Sequence, residues 1–290
     1  MKIFFIGVFD NKNKSTNNSQ LKAFKGLEHT VYAYNYRVVA SKIGNKKRDL
    51  DMIKQAKKFA PDLLVYCKCN VVSFDVFEKM NKITKTCLWF MDPLSTYSRA
   101  EFYKKTKLVN FFVCDKLNVL KVAEKINSNS FRVCEGYDDM IDKVYILNDE
   151  HDISFIGKIY GKRKKWIEEI NKGINVTSKC FGEDHAKMVS KTKINLNFCT
   201  ANGASDRVYK IMAAKGFLLT DDWEGRADDF RDGEDLVLFH DKKDLNNKIE
   251  FYLNNEKERK RIAKNGHIKV QKFSRTNWAK NIIELSKRVK

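Results

Sequence analysis

Residues 153–165 read Ile153-Ser154-Phe155-Ile156-Gly157-Lys158-Ile159-Tyr160-Gly161-Lys162-Arg163-Lys164-Lys165. A short apolar run ends in glycine and leads, through a second glycine, into a basic stretch of helical period. A strand that is apolar on both faces is covered on both faces, as in a parallel sheet flanked by helices. Glycine lets the backbone come close to a ligand, and the N–H groups at a helix start favour an anion. Four of the five residues from 161 to 165 are basic. Cations there oppose the helix dipole, so a structural role alone gains nothing from them, whereas a bound diphosphate would. The spacing is not that of a Walker loop.

The same alternation extends in both directions. Downstream, residues 194–198, 217–220 and 236–239 read as strands, and residues 207–214, 243–254, 256–272 and 276–289 as helices. Upstream, apolar runs at 3–8, 62–67, 86–91 and 109–114 are spaced by helical stretches at 48–59 and 97–107. Two doubly wound, Rossmann-like α/β domains are expected, facing a cleft. We place them at residues 1–137 and 152–275, with a helix at 276–290 crossing back and the acidic stretch 138–152 as hinge. Ligands of open α/β sheets bind at the carboxyl ends of strands, so the loops after Ile6, Met91, Val113, Ile156, Phe198 and Leu219 hold the candidate residues.

Of the 290 residues 43% are hydrophobic, enough for two cores, and only 2 are proline. The 56 Lys+Arg against 37 Asp+Glu give a net charge of +19. That excess favours nucleic acid, an anionic membrane face or phosphorylated ligands, although a lysine-rich proteome would yield the same count. No run approaches the ~18 apolar residues of a transmembrane helix, and a cytoplasmic protein is expected. The 7 cysteines sit mostly in strand-like runs, as reduced core thiols do. Cys67-Lys68-Cys69 lacks a second pair at zinc spacing and the histidines show no ligand spacing, so no metal site is expected.

A second constellation runs Ser205-Asp206-Arg207-Val208-Tyr209-Lys210-Ile211-Met212-Ala213-Ala214-Lys215-Gly216, with Asp221 and Glu224-Gly225 after the next strand. Arg207 and Lys210, three apart, fall on one helix face. Together with Phe155-Ile156-Gly157, Phe230-Arg231-Asp232-Gly233-Glu234-Asp235-Leu236-Val237 and Ile262-Ala263-Lys264-Asn265-Gly266, this order resembles the C-terminal half of GT-B glycosyltransferases of the spore-maturation, CgeB-like group. Trp89-Phe90-Met91-Asp92-Pro93 and Glu135-Gly136-Tyr137-Asp138 resemble its N-terminal and interdomain stretches more weakly.

The resemblance implies a GT-B glycosyltransferase with an acceptor-side N-terminal domain. Its substrate would be a nucleoside-diphosphate sugar donor, with no permanently bound cofactor. The implied donor residues are Gly157, Lys158, Arg163, Arg207, Tyr209, Lys210 and Glu224. The group has Glu where this chain has Lys210, and that Glu is expected to hold the donor ribose. Lysine accepts no hydrogen bond, so Asp206 or Glu224 would take that part, or Lys210 would meet a phosphate or sugar oxygen. Arg163, Lys158 and Arg207 would stabilise the leaving diphosphate in place of a metal. Asp92 is the candidate base for an inverting transfer, with Asp10 and Asp115 as alternatives that cap helices in the structural reading.

The acceptor placed first is double-stranded DNA with hydroxymethylated bases, as in phage DNA modification. Aromatics alternate with cations at residues 32–37 and 97–105, and Arg37, Arg99, Lys104 and Lys105 are expected near the cleft mouth, where such residues track phosphates and stack bases. A surface glycan, lipid-linked sugar or protein acceptor is the alternative. A non-catalytic nucleic-acid binder on the same scaffold is the third reading.

Overall fold

The computed structural model describes residues 1–10, 15–200 and 202–289. The chain forms two compact units: unit 1 is Met1–Glu135 with Arg275–Lys290, and unit 2 is Gly136–Ser274.

Unit 1 begins β1 (Lys2–Gly7), α1 (Thr16–Gly26), β2 (Thr30–Asn35), α2 (Tyr36–Ile43), α3 (Asn45–Phe59) and β3 (Leu63–Cys67). It continues with α4 (Phe74–Asn81), β4 (Lys85–Phe90), a 3-10 turn (Leu94–Thr96), α5 (Arg99–Leu108), β5 (Phe111–Cys114), α6 (Leu117–Glu124) and β6 (Ser130–Arg132). The sheet is parallel throughout, in the order β2-β1-β3-β4-β5-β6. Successive strand residues point to opposite faces, so Phe4, Ile6, Leu64 and Phe112 build one core layer while Ile3, Phe5, Val65 and Trp89 build the other. β3 and β5 are buried at every position, which is why they read as continuous apolar runs.

Unit 2 contains β7 (His151–Ile156), α7 (Lys162–Glu168), β8 (Asn175–Thr177), α8 (Glu183–Ser190), β9 (Thr192–Asn197) and α9 (Asp206–Ala213). It ends with β10 (Leu218–Thr220), α10 (Arg226–Asp229), β11 (Val237–Leu238), α11 (Lys242–Asn254) and α12 (Glu256–Val270). Its parallel sheet runs β11-β10-β9-β7-β8.

The chain enters unit 2 beside the point where it leaves. Tyr137 N–H donates to the Phe273 carbonyl at 3.2 Å. Gly136 has φ +69, and a Cβ there would stand 2.1 Å from that carbonyl oxygen, so the crossing needs glycine. Residues 138–142 are more than a linker: Asp138 N–H donates to buried Asp142 at 2.8 Å and Asp138 accepts from Met140 N–H at 3.0 Å. The last helix, α13 (Arg275–Arg288), belongs to unit 1. Its Trp278 is fully buried, with ring centroids 5.2 Å from Phe24 and 5.5 Å from Trp89.

Candidate functional site

In unit 2, β7 lies between β8 and β9. The connections after β7 and β9 therefore depart to opposite sides, and the crevice between them is the switch point at which an open α/β sheet receives a ligand. Gly157 follows β7, and α9 opens beside it with Asp206 and Arg207.

Arg207 lies back across the end of β7. Its Nε donates to the Ile156 carbonyl at 2.5 Å and its Nη1 to Asn197 Oδ1 at 2.9 Å. The guanidinium stands 4.8 Å from the centroid of the Phe155 ring. A Cβ on Gly157 would come within 2.4 Å of Arg207 Nη2, so the missing side chain at 157 makes room for the guanidinium at 207. Arg163, buried on α7, approaches the same ring at 5.8 Å and the Tyr160 ring at 4.8 Å. It donates to the Phe198 and Lys158 carbonyls, each at 3.3 Å. Burial, and next the charge of Arg163, push the Arg207 pKa down to about 10. Arg207 therefore stays cationic at neutral pH. The partners of the two guanidiniums are carbonyls and an amide, which position the two charges without neutralising them. A guanidinium has five N–H donors, so each retains donors for an anion.

The other donor-side candidates are placed less uniformly. Gly157 and exposed Lys158 border the crevice. Lys162 is tied to buried Asp221 at 2.6 Å, and Asp221 also accepts from Cys199 N–H at 2.6 Å. Lys210 pairs with Asp206 at 2.6 Å, one turn away on α9. Glu224 is half-buried, with its N–H on the Asn202 carbonyl at 3.3 Å. Tyr209 departs from expectation. It is fully buried, with Phe230 at 6.1 Å and Phe273 at 5.5 Å. It stands two positions after Arg207, about 200° around the helix, so it packs into the interior while Arg207 lies along the crevice.

Two residues absent from the sequence candidates join the site. Asn197 holds Arg207 and also donates to Thr220 Oγ1 at 3.0 Å. The available signal was the alternation of Asn195 and Asn197 with Ile194 and Leu196 along β9. His185 is buried on α8, and among the described residues its Nδ1 has no hydrogen-bond partner. Burial, then Lys210, push its pKa down to about 3, so it is neutral at physiological pH. The spacing of the histidines gave no hint of that.

In unit 1, Asp92 follows β4 and accepts from Lys68 Nζ at 2.7 Å, both side chains being about one third exposed. Asp10 accepts the Ser15 N–H at 2.7 Å ahead of α1. Asp115 is buried, and its carbonyl accepts from Arg132 at 3.2 Å. The aromatic and basic surface expected for DNA is partly interior. Tyr34, Tyr36, Phe102 and Lys105 are buried, because residues 32–35 belong to β2 and α5 turns Phe102 and Lys105 inward. Lys105 Nζ donates to the Val72 carbonyl at 2.8 Å and the Tyr97 hydroxyl at 3.2 Å. Arg37, Arg99 and Lys104 are exposed.

Charge divides unequally between the units. Unit 1 has 30 Lys+Arg and 13 Asp+Glu, a net +17; unit 2 has 26 and 24, a net +2. A general lysine bias would spread the excess evenly. Among the described residues, no group of three or more His, Cys, Asp or Glu could hold a metal ion, and no helix is long and apolar enough to cross a membrane.

A family model described as glycosyl transferase-like matches residues 139–285, just over half of the chain. No curated protein sequence matches. Among solved structures, HepE of Anabaena in complex with UDP and glucose is similar with a TM-score of 0.76 at 11% identity, covering 99% of this chain and 100% of that one. Sucrose-phosphate synthase of Thermosynechococcus elongatus gives 0.74 at 9% identity, and a glycosyltransferase of Rickettsia africae gives 0.71 at 11%. Each of these two covers 99% of this chain and 98% of its own. At such identities the likeness is one of fold.

Proposed function

The chain belongs to the glycosyl transferase-like family, and from that premise we propose that it moves a sugar from a nucleoside-diphosphate sugar to a hydroxyl of an acceptor gathered by unit 1. The fold is GT-B, and the activity is that of a transferase. One observation carries the donor assignment: two guanidiniums, buried Arg163 on α7 and half-buried Arg207 on α9, converge on the switch-point crevice through carbonyl and amide partners. The complexes of HepE with UDP-glucose support the same class of donor.

In the reaction, the acceptor oxygen bonds to the anomeric carbon and the bond from that carbon to the diphosphate oxygen breaks. The electron pair leaves with the nucleoside diphosphate, where Arg163, Arg207 and Lys158 meet the developing charge. In an inverting transfer the hydroxyl proton passes to Asp92. Asp206, paired with Lys210, is the carboxylate offered to donor hydroxyls in place of a glutamate at 210.

The net +17 of unit 1 supports a polyanionic acceptor or an acceptor on an anionic surface. Duplex DNA with hydroxymethylated bases fits that charge, but burial of Tyr34, Tyr36 and Phe102 leaves less stacking surface for it. A membrane-borne glycan or lipid-linked sugar fits the charge equally. The test is a panel of nucleotide-sugars assayed for hydrolysis in excess EDTA, with and without modified-base DNA or lipid-linked acceptor. Turnover in EDTA, stimulated by one acceptor class, is expected. Turnover that requires added magnesium or manganese would remove the two arginines from the charge-stabilising role.

A further inference from the structure

Unit 1 also has a hollow of about 490 Å³ between the 3-10 turn, α5 and α6, formed mainly by Leu94, Phe102, Tyr103, Val122 and Ile126, with Arg99 beside them. Phe102 is buried, edge-on to Phe90 at 5.3 Å and Phe112 at 5.6 Å. Tyr103 and Val122 are 51% and 39% exposed. α6 sends Val119, Leu120 and Ala123 into the core, so Val122 is not needed there. Exposed Tyr103 and Val122, set beside Phe102, Leu94 and Ile126 of the core, offer apolar surface that a partner can bury. The exposed cations on or next to these helices are Arg99, Lys104, Lys107, Lys121 and Lys125.

We propose that this groove docks the protein on an anionic membrane, taking an acyl chain between α5 and α6 while the flanking cations meet lipid phosphates. An apolar partner alone would gain nothing from the cations. Nucleic acid would use the cations and the Tyr103 ring but gain little from Leu94, Val122 and Ile126. An anionic lipid uses both. Docking is independent of the donor assignment. It rests on the preceding reading only in its consequence, which is that the acceptor hydroxyl is presented at a membrane surface.

The experiment is co-flotation of the full chain with vesicles of phosphatidylcholine alone or mixed with phosphatidylglycerol. Two double variants accompany it. Tyr103→Ser with Val122→Ser removes apolar surface and keeps the charge; Lys104→Gln with Lys121→Gln does the reverse. The wild type is expected to float with the anionic vesicles only, and each double variant to partition about tenfold less or worse. Melting temperature and nucleoside-diphosphate affinity, measured on the same samples, are expected to stay unchanged. Wild-type flotation by the serine variant would overturn the groove. So would a wild type that ignores vesicles but shifts duplex DNA, which would assign the cations to nucleic acid. Intact donor affinity in either failure would leave the transfer reaction standing.

Discussion

Arg207 lies where it does because residue 157 has no side chain. In Gly157→Ala the new methyl would meet Nη2 at 2.4 Å, and the guanidinium would have to shift from its place beside Ile156 and Asn197. Nucleoside-diphosphate affinity is expected to fall about tenfold, roughly the 1.5 kcal/mol of one charge-assisted hydrogen bond. Unchanged affinity by calorimetry would show that Arg207 does not touch the donor. Asp92→Asn keeps the shape and the acceptor for Lys68 while removing the base, so turnover is expected to drop by about 10²–10⁴ with donor affinity held. A variant that loses only melting temperature would return Asp92 to a structural role beside Lys68. The residues legible in sequence were those whose chemistry is odd for their place, such as glycine and arginine at a strand-to-helix turn. His185 gave no signal and Asn197 only that of a polar strand residue, because their roles depend on which helix end folds over them.

At the scale of elements, strands buried along their length were readable, the edge strand β11 among them, and half-exposed edge strands were not. The runs at 62–67 and 109–114 correspond to β3 and β5, buried at every residue. β2, β6 and β8 were missed. β2 buries only Tyr34, and β8 has three half-buried residues, so neither shows an unbroken apolar run. The aromatics of β2 consequently passed for a binding surface, although Tyr32 stacks on Phe4 at 5.0 Å. Helix α13 completes one core layer of unit 1, and Trp278→Ala is expected to cost about 3–5 kcal/mol, read as a loss of denaturation midpoint. A loss under 1 kcal/mol would mean that the layer closes without it.

The turn at 138–142 yields a pH dependence. Burial raises the Asp142 pKa from 3.8 to about 6, so the folded chain binds this proton more tightly than the unfolded one. The resulting stabilisation is complete below pH 3.8 and is lost as pH rises through 6. Asp142→Asn should therefore flatten stability between pH 4 and 6 and raise it at pH 7, by on the order of 3 kcal/mol. Chemical denaturation across that range checks it. Lower stability at pH 7 would mean that attraction to Lys210 outweighs the desolvation.

For the whole molecule, the net charge of +19 could be read from the sequence but its distribution could not. Only the division of the chain, with α13 returning to unit 1, shows that unit 1 holds +17 of it. The molecule thus pairs a nearly neutral unit carrying two positioned guanidiniums with a strongly basic one. The account stands or falls on those guanidiniums. The direct measurement is calorimetric titration of nucleoside diphosphates, in EDTA, into the wild type, Arg163→Ala and Arg207→Ala. Metal-free binding by the wild type, weakened about tenfold or more in each variant, is the predicted result. Full affinity in both variants, or binding only after a divalent cation is added, would contradict it.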